Sequence, residues 1–182
     1  MNGLFEFLKN FDGIIGVIIG AFLTYFMQCL GKLHFSMANC KDELMYEDND
    51  GFVHTDKAEN STLYGYKISF NLNIYNANSN YKSIHDLTLK IYNSNSNELI
   101  IKKSLKDEET GHYSGSLYFT DDAKYYNFNP KSFNILKLSS FIGKDIVINK
   151  ILNKNIICKL EFKNEKNKDI KIEVFKDKIL EN

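Results

Sequence analysis

Hydrophobic positions fall along this chain in two regimes. From Gly13 to Leu30 the run GIIGVIIGAFLTYFMQCL holds no charged side chain, and from Leu33 onward apolar residues recur at every second position. The first run is roughly 18 residues, or about 27 Å as a helix, against a bilayer hydrocarbon thickness of ~30 Å. It predicts a single transmembrane helix over residues 13–31. About nine strongly apolar side chains, at about −0.3 to −0.6 kcal/mol each, favour insertion by on the order of 3–5 kcal/mol, reduced by the glycines and Gln28. A buried core helix and a cleaved signal peptide compete with this reading because the run is short. Cleavage fits less well, since Lys9 is outnumbered by Glu6 and Asp12 and no small-x-small site follows. Residues 1–12 form a short amphipathic head, with Leu4, Phe5, Phe7, Leu8 and Phe11 among Glu6, Lys9 and Asp12.

Beyond the run, Leu33, Phe35 and Met37 alternate with polar neighbours, so the first strand follows with little linker. Asp50-Gly51 marks a hairpin turn, because that pair readily takes positive φ. In residues 64–76 Tyr64, Tyr66, Ile68, Phe70, Leu72 and Ile74 occupy every second position, the mark of a central strand with one packed face. Residues 87–93 and ELIIKKSL form a hairpin around the Asn/Ser turn at 93–97. Residues 106–131 break the alternation and read as a long irregular segment closed by Pro130. SFNILKLSSFIG then leads into DIVINKIL, and a last hairpin pairs Ile156, Cys158, Leu160 and Phe162 with Ile170, Ile172 and Val174 around KNEKNKD. The fold class is mainly β: an N-terminal transmembrane helix, then an antiparallel β-sandwich over residues 32–182 with about seven to nine strands. A small β-barrel is the alternative.

Charge adds placement more than chemistry. Net charge is zero, with no arginine anywhere in the chain, so nothing draws the protein to nucleic acid. The distribution is uneven, acidic over residues 42–59 and lysine-rich over 144–178. Lys9 precedes the apolar run while Lys32 and Lys41 follow it, which leans the β domain toward the cytoplasmic side of the plasma membrane. Cys29, Cys40 and Cys158 are too few and too scattered for a disulfide framework, although a Cys40–Cys158 bridge is possible in an exported domain. Asn60-Ser61-Thr62 is a glycosylation sequon, relevant only in a secretory pathway.

Candidate sites are two. Gly16 and Gly20 form a G-x-x-x-G pair that Thr24 extends along one helix face, a place where a second helix can approach closely. Asp107, Glu108, Glu109, Asp121 and Asp122, with His112 between them, supply carboxylates for a ligand or cation. The acidic group Glu47, Asp48 and Asp50 lacks the spacing of a calcium loop and reads as a solvated hairpin tip. His34, His54, His85 and His112 have no ligand-like spacing, and no phosphate loop, dinucleotide fingerprint or nucleophile elbow occurs. No cofactor and no catalytic residue is proposed on these grounds.

The short head, the span ending in Gly31-Lys32-Leu33-His34-Phe35, the long strand ending near Asn76 and the unit from Asn129-Pro130 to Ile142-Gly143 resemble small, uncharacterised membrane-anchored β-sandwich proteins of low-GC Gram-positive bacteria. The resemblance implies a single-pass inner-membrane protein with an immunoglobulin-like domain, and it implies no activity. The functional expectation is a membrane-tethered, non-enzymatic binding module whose partners are the lipid bilayer and either a protein or a second copy through the membrane helix. A ligand- or cation-sensing anchored domain is the alternative, and a metal-assisted hydrolase a distant one.

Overall fold

The computed structural model of the protein describes residues 16–26, 30–115 and 117–179. Residues 16–26 form a helix, α1. The strands that follow are β1 (Leu33–Glu47), β2 (Val53–His54), β3 (Thr62–Asn76), β4 (Lys82–Asn93), β5 (Leu99–Ser104), β6 (Lys106–Ser114), β7 (Leu117–Asp122), β8 (Tyr125–Phe128), β9 (Phe133–Gly143), β10 (Asn155–Asn164) and β11 (Asp169–Lys178). They make two sheets, ordered β2-β1-β3-β9-β6-β7 and β11-β10-β4-β5, with β8 also pairing β4. Every pairing is antiparallel.

The period of two decides what lies between the sheets. Ile68, Phe70, Leu72 and Ile74 of β3 are buried, and they share one cluster with Leu138 and Ile142 of β9, Ile84, Leu89 and Ile91 of β4, and Cys158, Leu160 and Phe162 of β10. Each such side chain contributes roughly 1.5–3 kcal/mol by leaving water. The central position of β3 and the closing β10–β11 hairpin therefore follow the alternation, as does the inward Cys158. Each sheet keeps its own unpaired edges, so the barrel alternative is corrected to a two-sheet sandwich.

Residues 106–131 are also corrected, because β6, β7 and β8 replace the expected irregular segment. β5 leaves one sheet, the chain crosses at buried Leu105, and β6 continues in the other; the return crosses at buried Ala123, whose N–H donates to the Leu105 carbonyl at 2.8 Å. Only Lys106 and Asp107 of β6 are in register with β9, so the rest of the β6–β7 hairpin has little apolar face to bury and shows no clean alternation. At Asp86, with φ of 58°, β4 changes partner from β8 to β5.

Two further segments differ in extent. β1 runs on through KDELMYE, past an irregularity between Ala38 and Lys41 where Asn39 has φ of 50°. The Asp50-Gly51 turn forms as expected, with the Asp48 carboxylate accepting the N–H groups of Asp50 at 3.0 Å and Phe52 at 2.8 Å. DIVINKIL folds as a helical turn, Lys144–Ile146 continuing into one wider π turn at Val147–Ile151 that buries Val147 and Ile151.

Of the predicted span, residues 13–15 and 27–29 lie outside the described residues, as do the head at 1–12 and Cys29. No helix among the described residues is long and apolar enough to cross a membrane. The predicted helical end at Gly31 is corrected: Gly31 has φ of 116°, which no α-helix accommodates, and residues 30–32 are irregular.

Candidate functional site

The sandwich has a basal end, where the chain arrives at residues 30–33, and an apical end around the Asp48–Phe52 turn. Asparagines build the basal end. Asn76 is fully buried, and its amide nitrogen donates to the carbonyls of Asn80 at 2.9 Å, Asn129 at 3.0 Å and Phe128 at 3.2 Å. Its carbonyl oxygen accepts the Asn78 N–H at 3.0 Å, and Asn78 Oδ1 in turn accepts the Asn80 N–H at 2.7 Å. These successive Asx turns order a loop that holds no apolar side chain larger than alanine between Asn76 and Asn80.

That loop clamps the arriving chain. Asn78 Nδ2 donates to the Gly31 carbonyl at 3.2 Å, the Ala77 N–H donates to the Lys32 carbonyl at 3.1 Å, and Lys131 Nζ donates to the Ala77 carbonyl at 2.5 Å. Gly31 is required here twice over: its φ is left-handed, and a Cβ on it would stand 2.4 Å from the Ala77 oxygen. The NANSN segment carries the signal in the sequence, asparagine at every second position.

On α1 every residue is exposed, including Val17, Ile18, Phe22 and Phe26. A Cβ on Gly16 or Gly20 would meet no atom of the described residues within 4 Å. Thr24 lies one turn further on, but its hydroxyl donates to the Gly20 carbonyl at 2.8 Å and so is satisfied within its own helix.

The acidic set is drawn into one hairpin without converging on a point. Asp107 and Asp121 stand opposite each other across β6 and β7. Asp107 Oδ2 accepts the Tyr126 hydroxyl at 2.7 Å, Glu108 accepts the Ser139 hydroxyl, and Glu109 pairs with Lys137 at 3.2 Å. Asp122 pairs with Lys106 at 2.8 Å, whose hydrogen bond and charge hold that carboxyl below the usual range. His112 stacks on Phe119 with ring centroids 6.1 Å apart. Burial and the Asp107 carboxylate push the Tyr126 phenol up, so it stays protonated and donates to Asp107. Among the described residues no three His, Cys, Asp or Glu side chains are arranged to hold a metal ion.

Two clefts remain. One of about 740 Å³ opens between β1 and β11 and is lined by Asp42, Glu43, Asp56, Tyr66 and Asp177. Tyr66 donates to Asp42 at 2.8 Å, and burial together with the Asp42 charge keeps its phenol protonated. The other, about 390 Å³, lies where β5 and β8 part on the outside of β4, beside Lys90, Lys102, Lys163 and Glu161. Glu161 is a site that alternation alone did not reveal. Its carboxylate accepts Lys90 Nζ at 2.5 Å, the Tyr92 hydroxyl at 2.9 Å and Lys171 Nζ at 3.2 Å, tying β10 to both neighbours. Burial opposes its ionisation, and those three donors outweigh it to keep the carboxyl below the usual range. Cys40 is exposed, Cys158 is buried and both are free thiols, so no bridge joins them.

A comparison with curated protein sequences finds no match. Among solved structures, the chain is similar to the crystal structure of the putative ApaA protein from Bordetella pertussis, at 7% identity over 84% of this chain and 95% of that one, with a TM-score of 0.36. A second structural-genomics target is similar at 6% identity over 81% of this chain and 85% of its own, with a TM-score of 0.35. The profile of the YopI Ig-like domain matches residues 31–175, which begin at the clamped glycine and take in nearly all of the two sheets. The chain is therefore a member of the YopI Ig-like domain family.

Proposed function

We propose that the protein is a membrane-tethered, non-enzymatic binding module, held at the plasma membrane by the apolar run of residues 13–31 and presenting the immunoglobulin-like sandwich to a protein partner. The observation that carries this reading is α1: eleven consecutive helical residues, all exposed and none charged, that bury nothing against the sandwich. Exposed apolar surface on that scale marks a membrane or protein contact. The clamp at Gly31 supports the same reading, because a tether transmits orientation only if its attachment is rigid. The G-x-x-x-G face of Gly16 and Gly20 is open for a second helix.

The test is fractionation of cells expressing the full chain, followed by crosslinking in the membrane. Retention in the membrane pellet after alkaline carbonate, with a discrete crosslinked species, is expected. Release by carbonate overturns the tether. Retention without any crosslinked partner or self-association overturns the binding role.

A further inference from the structure

The sandwich is charge-polarised along its long axis. The segments meeting at the basal end, residues 30–35, 76–82, 128–133 and 163–169, hold six lysines against Glu165 and Asp169, in a chain with no net charge. Strand register brings them together: Leu33 faces Asn76, Tyr75 faces Phe133, Lys82 faces Phe128, and the β10–β11 turn follows Lys163 opposite Asp169. Glu165 is already paired with Lys82 at 2.6 Å, which leaves Lys32, Lys131, Lys166 and Lys168 exposed around it. The apical end, where residues 47–62, 93–99, 143–155 and 176–179 meet, is the reverse in balance, with eight carboxylates against six lysines.

Aromatics accompany the basal lysines. Tyr81 is 70% exposed and Phe133 60% exposed, on two different elements of the same end. Rings with lysines beside them are what a bilayer interface takes: the ring at headgroup depth, the ammonium toward lipid phosphate. The direction of the chain agrees, since only residues 27–29 separate α1 from this end.

We infer that the basal end docks on an anionic lipid surface, with Tyr81 and Phe133 in the interface and Lys32, Lys166 and Lys168 facing the headgroups. The inference rests on the tethered reading and adds an orientation to it: the sandwich stands upright on the bilayer, acidic end outward. Each lysine held near an anionic surface adds about fivefold to partitioning, so docking should respond steeply to lipid charge.

The chain has no tryptophan, so one introduced ring reports depth cleanly. Full-length Phe133→Trp, Tyr81→Trp and, at the apical end, Phe52→Trp are reconstituted in phosphatidylcholine vesicles with and without phosphatidylglycerol and titrated with brominated lipid. Flotation on neutral vesicles reads the tether; quenching reads docking. Expected are at least tenfold stronger quenching of the two basal reporters with phosphatidylglycerol, no quenching of Phe52→Trp, and loss of the effect in a Lys32→Gln, Lys166→Gln, Lys168→Gln variant. Vesicle-bound protein whose basal reporters are unquenched, or equally quenched in both lipids, overturns the docking and leaves the tether standing. Protein that floats with neither vesicle overturns both.

Discussion

Replacing Asn76 with alanine tests whether the basal clamp is built as described. The side chain is fully buried and serves four backbone groups, the carbonyls of Asn80, Phe128 and Asn129 and the N–H of Asn78. A buried polar group left without a partner costs about 1–3 kcal/mol. Water can reach the carbonyls of Asn80 and Asn129, whose contacts are only part-buried, so we expect a total loss of about 3–5 kcal/mol. For a domain of this size that is a fall in Tm of roughly 6–20 °C. Urea denaturation of the full chain in detergent, followed by tyrosine fluorescence and circular dichroism, measures it. Asn149→Ala is the control, because its amide bonds the Asp145 carbonyl at an exposed site that water can re-satisfy, and a change within about 0.5 kcal/mol is expected. Asn76→Asp sharpens the test. A carboxylate facing three carbonyls has its folded pKa raised, so this variant is weakest above that value and regains stability as pH falls toward the unfolded value of about 3.9. A loss below about 1 kcal/mol for Asn76→Ala, no larger than the control, would refute the clamp.

Gly31→Ala places a Cβ 2.4 Å from the Ala77 oxygen at a left-handed φ, and should free residues 30–32 from the Asn76–Asn80 loop. Hydrogen exchange at the Ala77 amide should quicken while core amides of β3 stay protected. In a Cys29→Ser background, maleimide should label Cys40 in the native protein, slowly at neutral pH because burial pushes that thiol up, and Cys158 only after unfolding; two fast native equivalents would contradict the packing of β10. Glu161→Gln removes the charge that Lys90, Tyr92 and Lys171 share and should cost about 1–3 kcal/mol at neutral pH. The folded pKa of Glu161 is depressed, so its contribution is present above the unfolded value of about 4.3 and is lost as pH falls through the folded one. The acid limb of the stability profile should therefore be shallower in Glu161→Gln than in the wild type.

What could be read in advance divides along one physical line. Where a strand has a buried face, as in β3, β9, β10 and β11, alternation is imposed by the core and the sequence shows it. Where a strand lies outside the core, as in β6 beyond Asp107, neither face is selected and only hydrogen bonding defines it, so KDEETGHYS looked irregular. The basal clamp escaped for a related reason. Asn76 and Asn78 are polar yet buried, and hydropathy cannot distinguish an asparagine that satisfies backbone groups from one in water. The acidic hairpin shows the converse error. Proximity in sequence brought Asp107, Glu108, Glu109, Asp121 and Asp122 into one unit, while the pleat and their lysine and hydroxyl partners turned them apart.

The proposed tethering by the basal end also narrows where a partner can bind. In that arrangement the basal surface faces the attachment, and the core is closed by both sheets. The surfaces left free include the acidic apical turn, the β6–β7 hairpin with exposed Tyr113, Leu117 and Tyr118, the lysine-bearing outer face around Glu161, and the side where β11 and the part of β1 not covered by β2 flank the cleft of about 740 Å³. Strand addition at β1 is hindered along its middle, because the irregularity at Asn39 breaks the row of backbone donors and acceptors an incoming strand would need. On β11 the edge carries Lys171, Lys176, Lys178 and Asp177, the charged edge pattern that discourages indiscriminate pairing. A partner at this side therefore has to be selected by side chains more than by backbone, and the cleft offers Asp42, Glu43, Asp56 and Asp177 against Lys57 and Lys178. Such a surface favours a basic partner segment. Charge reversal at Asp56 and Asp177 should weaken its capture while leaving the basal reporters docked, since those residues lie away from the basal lysines.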